Sequence, residues 1–285
     1  MASLGDPPTI LVTGAGRGLG LATALGLARR GARVPMVARD PSAGREALAR
    51  LVAQTGNRET ALLTADRSEL AAVRRLAEEV RRRWGRLQVL INNAAVIPRE
   101  RRVAADRLEM QLAVNHLAPF LLTDLLLDLL AASAPARVVN VASEAHRGAR
   151  IDFGDLQMTR RHDPPEQYAR TKLMNLLFTY ELARRFDPGR ITANCLHPGV
   201  VASRLLADYL GLPPAPPASA PPRSKARPPS SGSPPHPSWP GSPVATSSMD
   251  PSGVGGVARS PRGGATVGPE PGPRETLSRR PSPPA

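Results

Sequence analysis

Thr9-Ile10-Leu11-Val12-Thr13-Gly14-Ala15-Gly16-Arg17-Gly18-Leu19-Gly20 passes from a short apolar run directly into alternating glycines. The first five residues read as a buried strand. Residues 21–30 read as a helix that ends at Gly31, a C-cap glycine. Between a strand and a helix, such glycines let the backbone approach a pyrophosphate closely. The phosphates then rest on amide donors at the positive end of the helix. The plainer alternative is an ordinary tight strand–helix turn.

Outward from this stretch, strand and helix keep alternating. Residues 33–38 form a second strand closed by Arg39-Asp40, 42–55 a helix, and 59–64 a third strand running into Ala65-Asp66. An amphipathic helix over 68–84 precedes a fourth strand, 87–91, that terminates in Asn92-Asn93-Ala94-Ala95. A helix is expected over 107–130, a fifth strand over 136–142, a helix over 167–185 and a sixth strand over 191–196. This alternation argues an α/β fold, a doubly wound parallel sheet of about six strands with right-handed crossovers. In such sheets polar residues at the carboxyl ends of the strands line the ligand crevice. Asp66 is then placed to meet adenine and Asn92 to line a cofactor channel, although either suits a simple turn. An acid closing the second strand favours a free ribose 2′-hydroxyl, an arginine a 2′-phosphate. Arg39 and Arg17 together suit bidentate phosphate recognition, which favours NADP over NAD despite Asp40.

Tyr168-Ala169-Arg170-Thr171-Lys172 places a phenol and an ammonium one helical turn apart on one face. A cation that close is expected to lower the tyrosine pKa and let it trade a proton. The chain uses arginine for nearly every other cation; Lys172 is the only lysine before Lys225.

The chain has 285 residues, 41% of them hydrophobic, and a formal charge of +14. Prolines crowd the segment 213–285 with Ser, Gly and Arg, a composition expected to be disordered. The folded domain is expected over 7–211 and the tail over 212–285. Net charge alone would admit nucleic acid, but aromatics make up only 3% of the chain and no nucleic-acid-binding motif occurs. A solvated basic surface is the expectation, with no nucleic-acid partner. Cys195 is the sole cysteine, so no intramolecular disulfide forms. No signal peptide opens the sequence, the apolar run 120–132 is short and broken by Asp124 and Asp128, and a cytoplasmic location is expected.

Taken together, these landmarks resemble the short-chain dehydrogenase/reductase family over about residues 9–210, with its Rossmann-like fold. Thr13, Gly14, Gly18 and Gly20 match the family's Thr-Gly-x-x-x-Gly-x-Gly. Asp66 matches its adenine-contacting acid, Asn115 its helix asparagine, Ser143 its substrate-orienting serine, and Tyr168 and Lys172 its catalytic pair. Pro198-Gly199 matches the turn beside the nicotinamide, and Ser203 falls where a hydroxyl holds the carboxamide. Val141-Ala142-Ser143-Glu144-Ala145-His146 and His197-Pro198-Gly199-Val200-Val201 resemble the NADP-dependent retinol dehydrogenase-like subgroup. The resemblance implies an NADP(H)-dependent oxidoreductase that interconverts an apolar, retinal-like carbonyl and its alcohol. Ser143 would hold the carbonyl oxygen, Tyr168 give the proton, Lys172 bias Tyr168, and Asn115 order a relay water. It also implies a homodimer through the long helices.

Two departures stand out. Ala95 replaces the glycine of Asn-Asn-Ala-Gly, and family members continue past the Pro-Gly turn with substrate-covering helices, a seventh strand and a last helix. Here proline-rich sequence begins at Pro213 instead. The alternative expectation is therefore a weakly active or inactive variant, or an interaction protein working through its proline-rich tail, whose partners are unspecified.

Overall fold

The computed structural model describes residues 6–199 together with Leu205 and Tyr209. Ser203 and the proline-rich segment 212–285 lie outside the described residues, as does the end of the domain expected over 7–211.

Six parallel strands form one sheet in the order β3-β2-β1-β4-β5-β6. They are β1 (Ile10–Thr13), β2 (Val34–Ala38), β3 (Thr60–Thr64), β4 (Val89–Asn92), β5 (Ala136–Val141) and β6 (Ile191–Leu196). The helices between them are α1 (Gly18–Ala28), α2 (Pro41–Thr55), α3 (Leu70–Arg83), α4 (Ala118–Ala132) and α5 (Pro164–Arg185). This is the doubly wound, Rossmann-like architecture that the alternation of elements predicts.

Every residue of β1 and β2 is buried, because helices cover both faces of the sheet. Side chains alternate between the two layers with the strand's period of two. Ile10, Val12, Val34 and Met36 pack with Leu25 and Leu51 of α1 and α2. Leu11, Val37 and Leu90 pack on the other side with Val73, Leu76, Leu122, Leu126 and Leu182 of α3, α4 and α5. Each fully buried leucine contributes roughly 1.5–3 kcal/mol by leaving water.

The helix expected over 107–130 departs most from its prediction. Arg107 turns with φ 60° and residues 102–110 fold back in a small hairpin, with Val103 bridged to Glu109. Helix begins only at residue 110. Its next stretch, Leu112–Leu117, is π-helical and runs unbroken into α4. By length and composition alone the 21 residues Leu112–Ala132 are long enough to cross a membrane, more than the short run 120–132 suggested. One side of this helix nevertheless packs into the domain through the fully buried Leu122, Leu126 and Leu130.

The order of strands reverses between β1 and β4. In sheets of this kind a ligand binds at that point, at the carboxyl ends of the strands.

Candidate active site

Gly14 leaves β1 with φ 68° and Gly18 enters α1 with φ 55°, a backbone that side chains disfavour. At Gly20 a methyl group would collide with the carbonyl oxygen of Gly14, so the turn closes only without one. No side chain caps α1, and its first turn carries no acid. The amides around Arg17, Gly18, Leu19 and Gly20 therefore suit an anion.

The turn is braced from β4. The side-chain amide of Asn93 donates to the carbonyls of Thr13 (2.8 Å) and Gly14 (3.4 Å), and its backbone N–H donates to Thr13 Oγ1 (3.0 Å). Asn92, expected at the channel, points the other way. Its Nδ2 donates to Asn140 Oδ1 (2.9 Å) and Thr123 Oγ1 (3.0 Å) inside the core. Its Oδ1 is buried without a partner, and Asn92 lines a small cavity with Thr13, Arg67, Ala94 and Val114.

Charge gathers where the adenosine end of a dinucleotide would lie. Arg17 and Arg39 are exposed. Asp40 does not compete for a ribose, because its carboxylate caps α2, accepting from the N–H of Ser42 (2.8 Å) and Ala43 (3.3 Å). Asp66 accepts from the backbone and hydroxyl of Ser68 (2.9 and 2.8 Å). Beside it Arg67, which the sequence did not single out, buries Nε and Nη1 with no hydrogen-bond partner among the described residues. Burial holds this guanidinium at a pKa of about 10, with Asp66 opposing the shift and Arg39 adding to it. An orphaned buried guanidinium, an uncapped helix and a methyl-free turn together fit a phosphate-bearing nucleotide.

Ser143, Tyr168 and Lys172 meet at the end of β5. Ser143 follows the strand, and its Oγ accepts from the N–H of Ala145 (3.2 Å). Its hydroxyl lies near enough to that of Tyr168 to favour the phenolate. Lys172, only 2% exposed, reaches from α5 to donate its Nζ to the Val141 carbonyl (2.8 Å). That Nζ lies 5.3 Å from the centre of the Tyr168 ring. The expectation that the ammonium lowers the tyrosine pKa is not met. Burial raises the pKa of Tyr168, and the Ser143 hydroxyl only partly opposes this. Burial also pulls Lys172 down to about 8, against a smaller upward pull from Cys195. Desolvation outweighs attraction here because both groups sit in poorly solvated surroundings.

Asn115 lies in the π-helical stretch and is 1% exposed. Its amide is engaged at both atoms: Oδ1 accepts from Val96 N (2.8 Å), and Nδ2 donates to the Val96 carbonyl (3.0 Å) and to Thr171 Oγ1 (3.3 Å). Its carbonyl accepts from Asn175 Nδ2 (2.8 Å). A second lone pair on Oδ1 and one on that backbone carbonyl remain for a relay water. Pro198 and Gly199 close the described chain beside the site, Gly199 with φ 79°. His197 Nδ1 accepts from the N–H of Glu144 (3.4 Å), which ties this end to the turn after Ser143.

A family model described as short chain dehydrogenase matches residues 8–210. Human retinol dehydrogenase 13 is 41% identical over 198 residues, which cover 69% of this chain and 60% of that protein. Human retinol dehydrogenase 12 is 43% identical over 197 residues, 69% of this chain and 62% of that protein. The match thus spans about 60% of the length of these curated relatives. Among solved structures, the Pseudomonas aeruginosa RhlG/NADP active-site complex superposes with a TM-score of 0.60 at 30% identity, covering 72% of this chain and 77% of that one.

Proposed function

This chain belongs to the short-chain dehydrogenase family, and from that premise we propose that it is an NADP(H)-dependent oxidoreductase interconverting a retinal-like aldehyde or ketone and its alcohol. The observation that carries the reading is the hydroxyl pair of Ser143 and Tyr168 with the buried amine of Lys172 beneath the ring. The names of the retinol dehydrogenase relatives support the substrate class, and the NADP in the RhlG complex supports the cofactor.

Thr13, Gly14, Arg17, Gly18, Leu19, Gly20, Arg39, Asp66, Tyr168, Lys172, Pro198, Gly199 and Ser203 would hold the nucleotide, with Arg67 added by its buried guanidinium, while Asn92 serves the core instead. When bound, that cofactor supplies or accepts the hydride. The chain's own residues manage the oxygen. Ser143 donates a hydrogen bond to the carbonyl oxygen and fixes its position. Tyr168, a neutral phenol at pH 7 because burial keeps its pKa above the ordinary value, gives its proton as that oxygen gains charge. Lys172 then faces the phenolate that remains. Asn115 holds α5 against its neighbour and offers its carbonyl to a relay water.

Purified protein is expected to oxidise NADPH in the presence of all-trans-retinaldehyde, more effectively than NADH. Tyr168→Phe should lower kcat by about 10²–10⁴-fold while leaving NADPH binding intact. A mutant that turns over as fast as the wild type would remove Tyr168 from the chemistry.

A further inference from the structure

Glu109 is 0% exposed and takes no part in the proton chemistry above. A buried carboxylate is costly unless donors converge on it. Three do. Its Oε1 accepts from the N–H of Gln111 (2.9 Å), and its Oε2 accepts from the N–H of Leu112 (2.8 Å) and from Gln167 Nε2 (2.8 Å). His162 adds an Nε2 lying 3.7 Å from Oε1. Two of these donors start the helix that leads to Asn115. The third belongs to α5, 58 residues further along the chain.

Gln167 immediately precedes Tyr168. The same Nε2 also donates to the carbonyl of Leu156 (3.0 Å), so this one amide gathers the hairpin 102–110, the segment before α5 and the first turn of α5. Above it the two helices are joined again by Asn115 to Thr171 and by Asn175 to the Asn115 carbonyl. The first of these runs on to Tyr168, because Thr171 Oγ1 donates to the Tyr168 carbonyl (2.8 Å), and Lys172 is held separately by Val141. The tyrosine follows directly on the opening turn, whose first N–H groups have no partner within the helix. The Glu109 tie acts from the other side, through the side chain of the residue immediately before the tyrosine, and Gln111 Nε2 adds a bond to the Pro164 carbonyl (3.0 Å).

We infer that Glu109 is a positioning residue for Tyr168, setting the opening turn of α5 so that the phenol meets Ser143. The inference rests on the proposed role of Tyr168 as proton donor. A cap alone is supplied cheaply by an exposed Ser or Asp; a sealed carboxylate shared between two distant segments instead fixes one packing of them.

The test uses the full chain with NADPH and all-trans-retinaldehyde. Glu109→Gln puts an amide N–H against a donor and loosens the junction. Gln167→Met cuts the tie to α5 while leaving Glu109 on the backbone of Gln111 and Leu112, so it decides the matter should the first variant fold poorly. Both are expected to lower kcat by about tenfold or more, with the dissociation constant of NADPH within about twofold of wild type. On a Tyr168→Phe background neither should lower the residual rate further, because the group they place is gone. If kcat of the folded variants stays within about twofold of wild type, or the loss persists in full without the Tyr168 hydroxyl, the inference is overturned. A wild-type protein with no turnover would instead reject the proposed function, and the inference with it.

Discussion

Lys172 shows what the site costs the fold. Its amine is held at a pKa of about 8 against an ordinary 10.5, with burial as the leading cause. Between these values the unfolded chain carries a proton that the folded chain has released, so stability rises as pH climbs from about 8 to about 10.5. Below about 8 the charged amine stays buried and the full penalty, on the order of 3 kcal/mol, applies. Lys172→Met is therefore expected to raise the melting temperature of the cofactor-free protein at pH 7, with a gain that shrinks above pH 8, while turnover is lost. Thermal scans across pH check this, and a variant less stable than wild type at pH 7 would contradict it. The pairing of Tyr168 and Lys172 was visible in the spacing of five residues. The direction of their titration was not, because it depends on how much protein covers them, and spacing carries no record of burial.

Among the elements, α5 carries the tyrosine and has the more explicit start. Asp163 accepts from the N–H of Glu166 (2.9 Å), and Pro164 follows at the first helical position, where its missing N–H is harmless. Asp163→Ala is expected to destabilise the protein by about 1 kcal/mol in denaturant unfolding while retaining most of its activity. If turnover disappeared with stability unchanged, the residue would have a role other than capping. Periodicity and turn residues sufficed for the strands and for most helix ends, because glycine and proline mark them with a mechanism. They failed at the start of the helix expected over 107–130, where Arg107-Leu108-Glu109 contains neither residue, yet Arg107 turns to φ 60°. They also failed at Asn92 and Asn93. Successive residues leaving a strand face opposite ways, so a shift of one decides which asparagine joins the core and which braces the glycine turn. Glu109 and Asn93 went unnoticed because each acts through a partner distant in sequence, and Arg67 because only its burial sets it apart.

At the scale of the whole molecule, the outer faces of α4 and α5 present an apolar surface. Phe120, Leu177 and Tyr180 are 45–50% exposed, and Phe120 packs on Phe178 with ring centres 5.0 Å apart. Self-association through this surface is expected. Analytical ultracentrifugation should find a dimer, and the double variant Leu177→Glu, Tyr180→Glu a monomer; a monomeric wild type at micromolar concentration would rule the surface out as an interface. The near-exclusive use of arginine has a practical corollary. Lys172 and Lys225 are the only lysines in the chain. Protein grown on isotope-enriched lysine would carry two labelled side chains, one against the carbonyl of Val141 and one within the proline-rich segment. A single magnetic-resonance spectrum would then follow the surroundings of Lys172 and of Lys225 together, without a mutation or an attached probe.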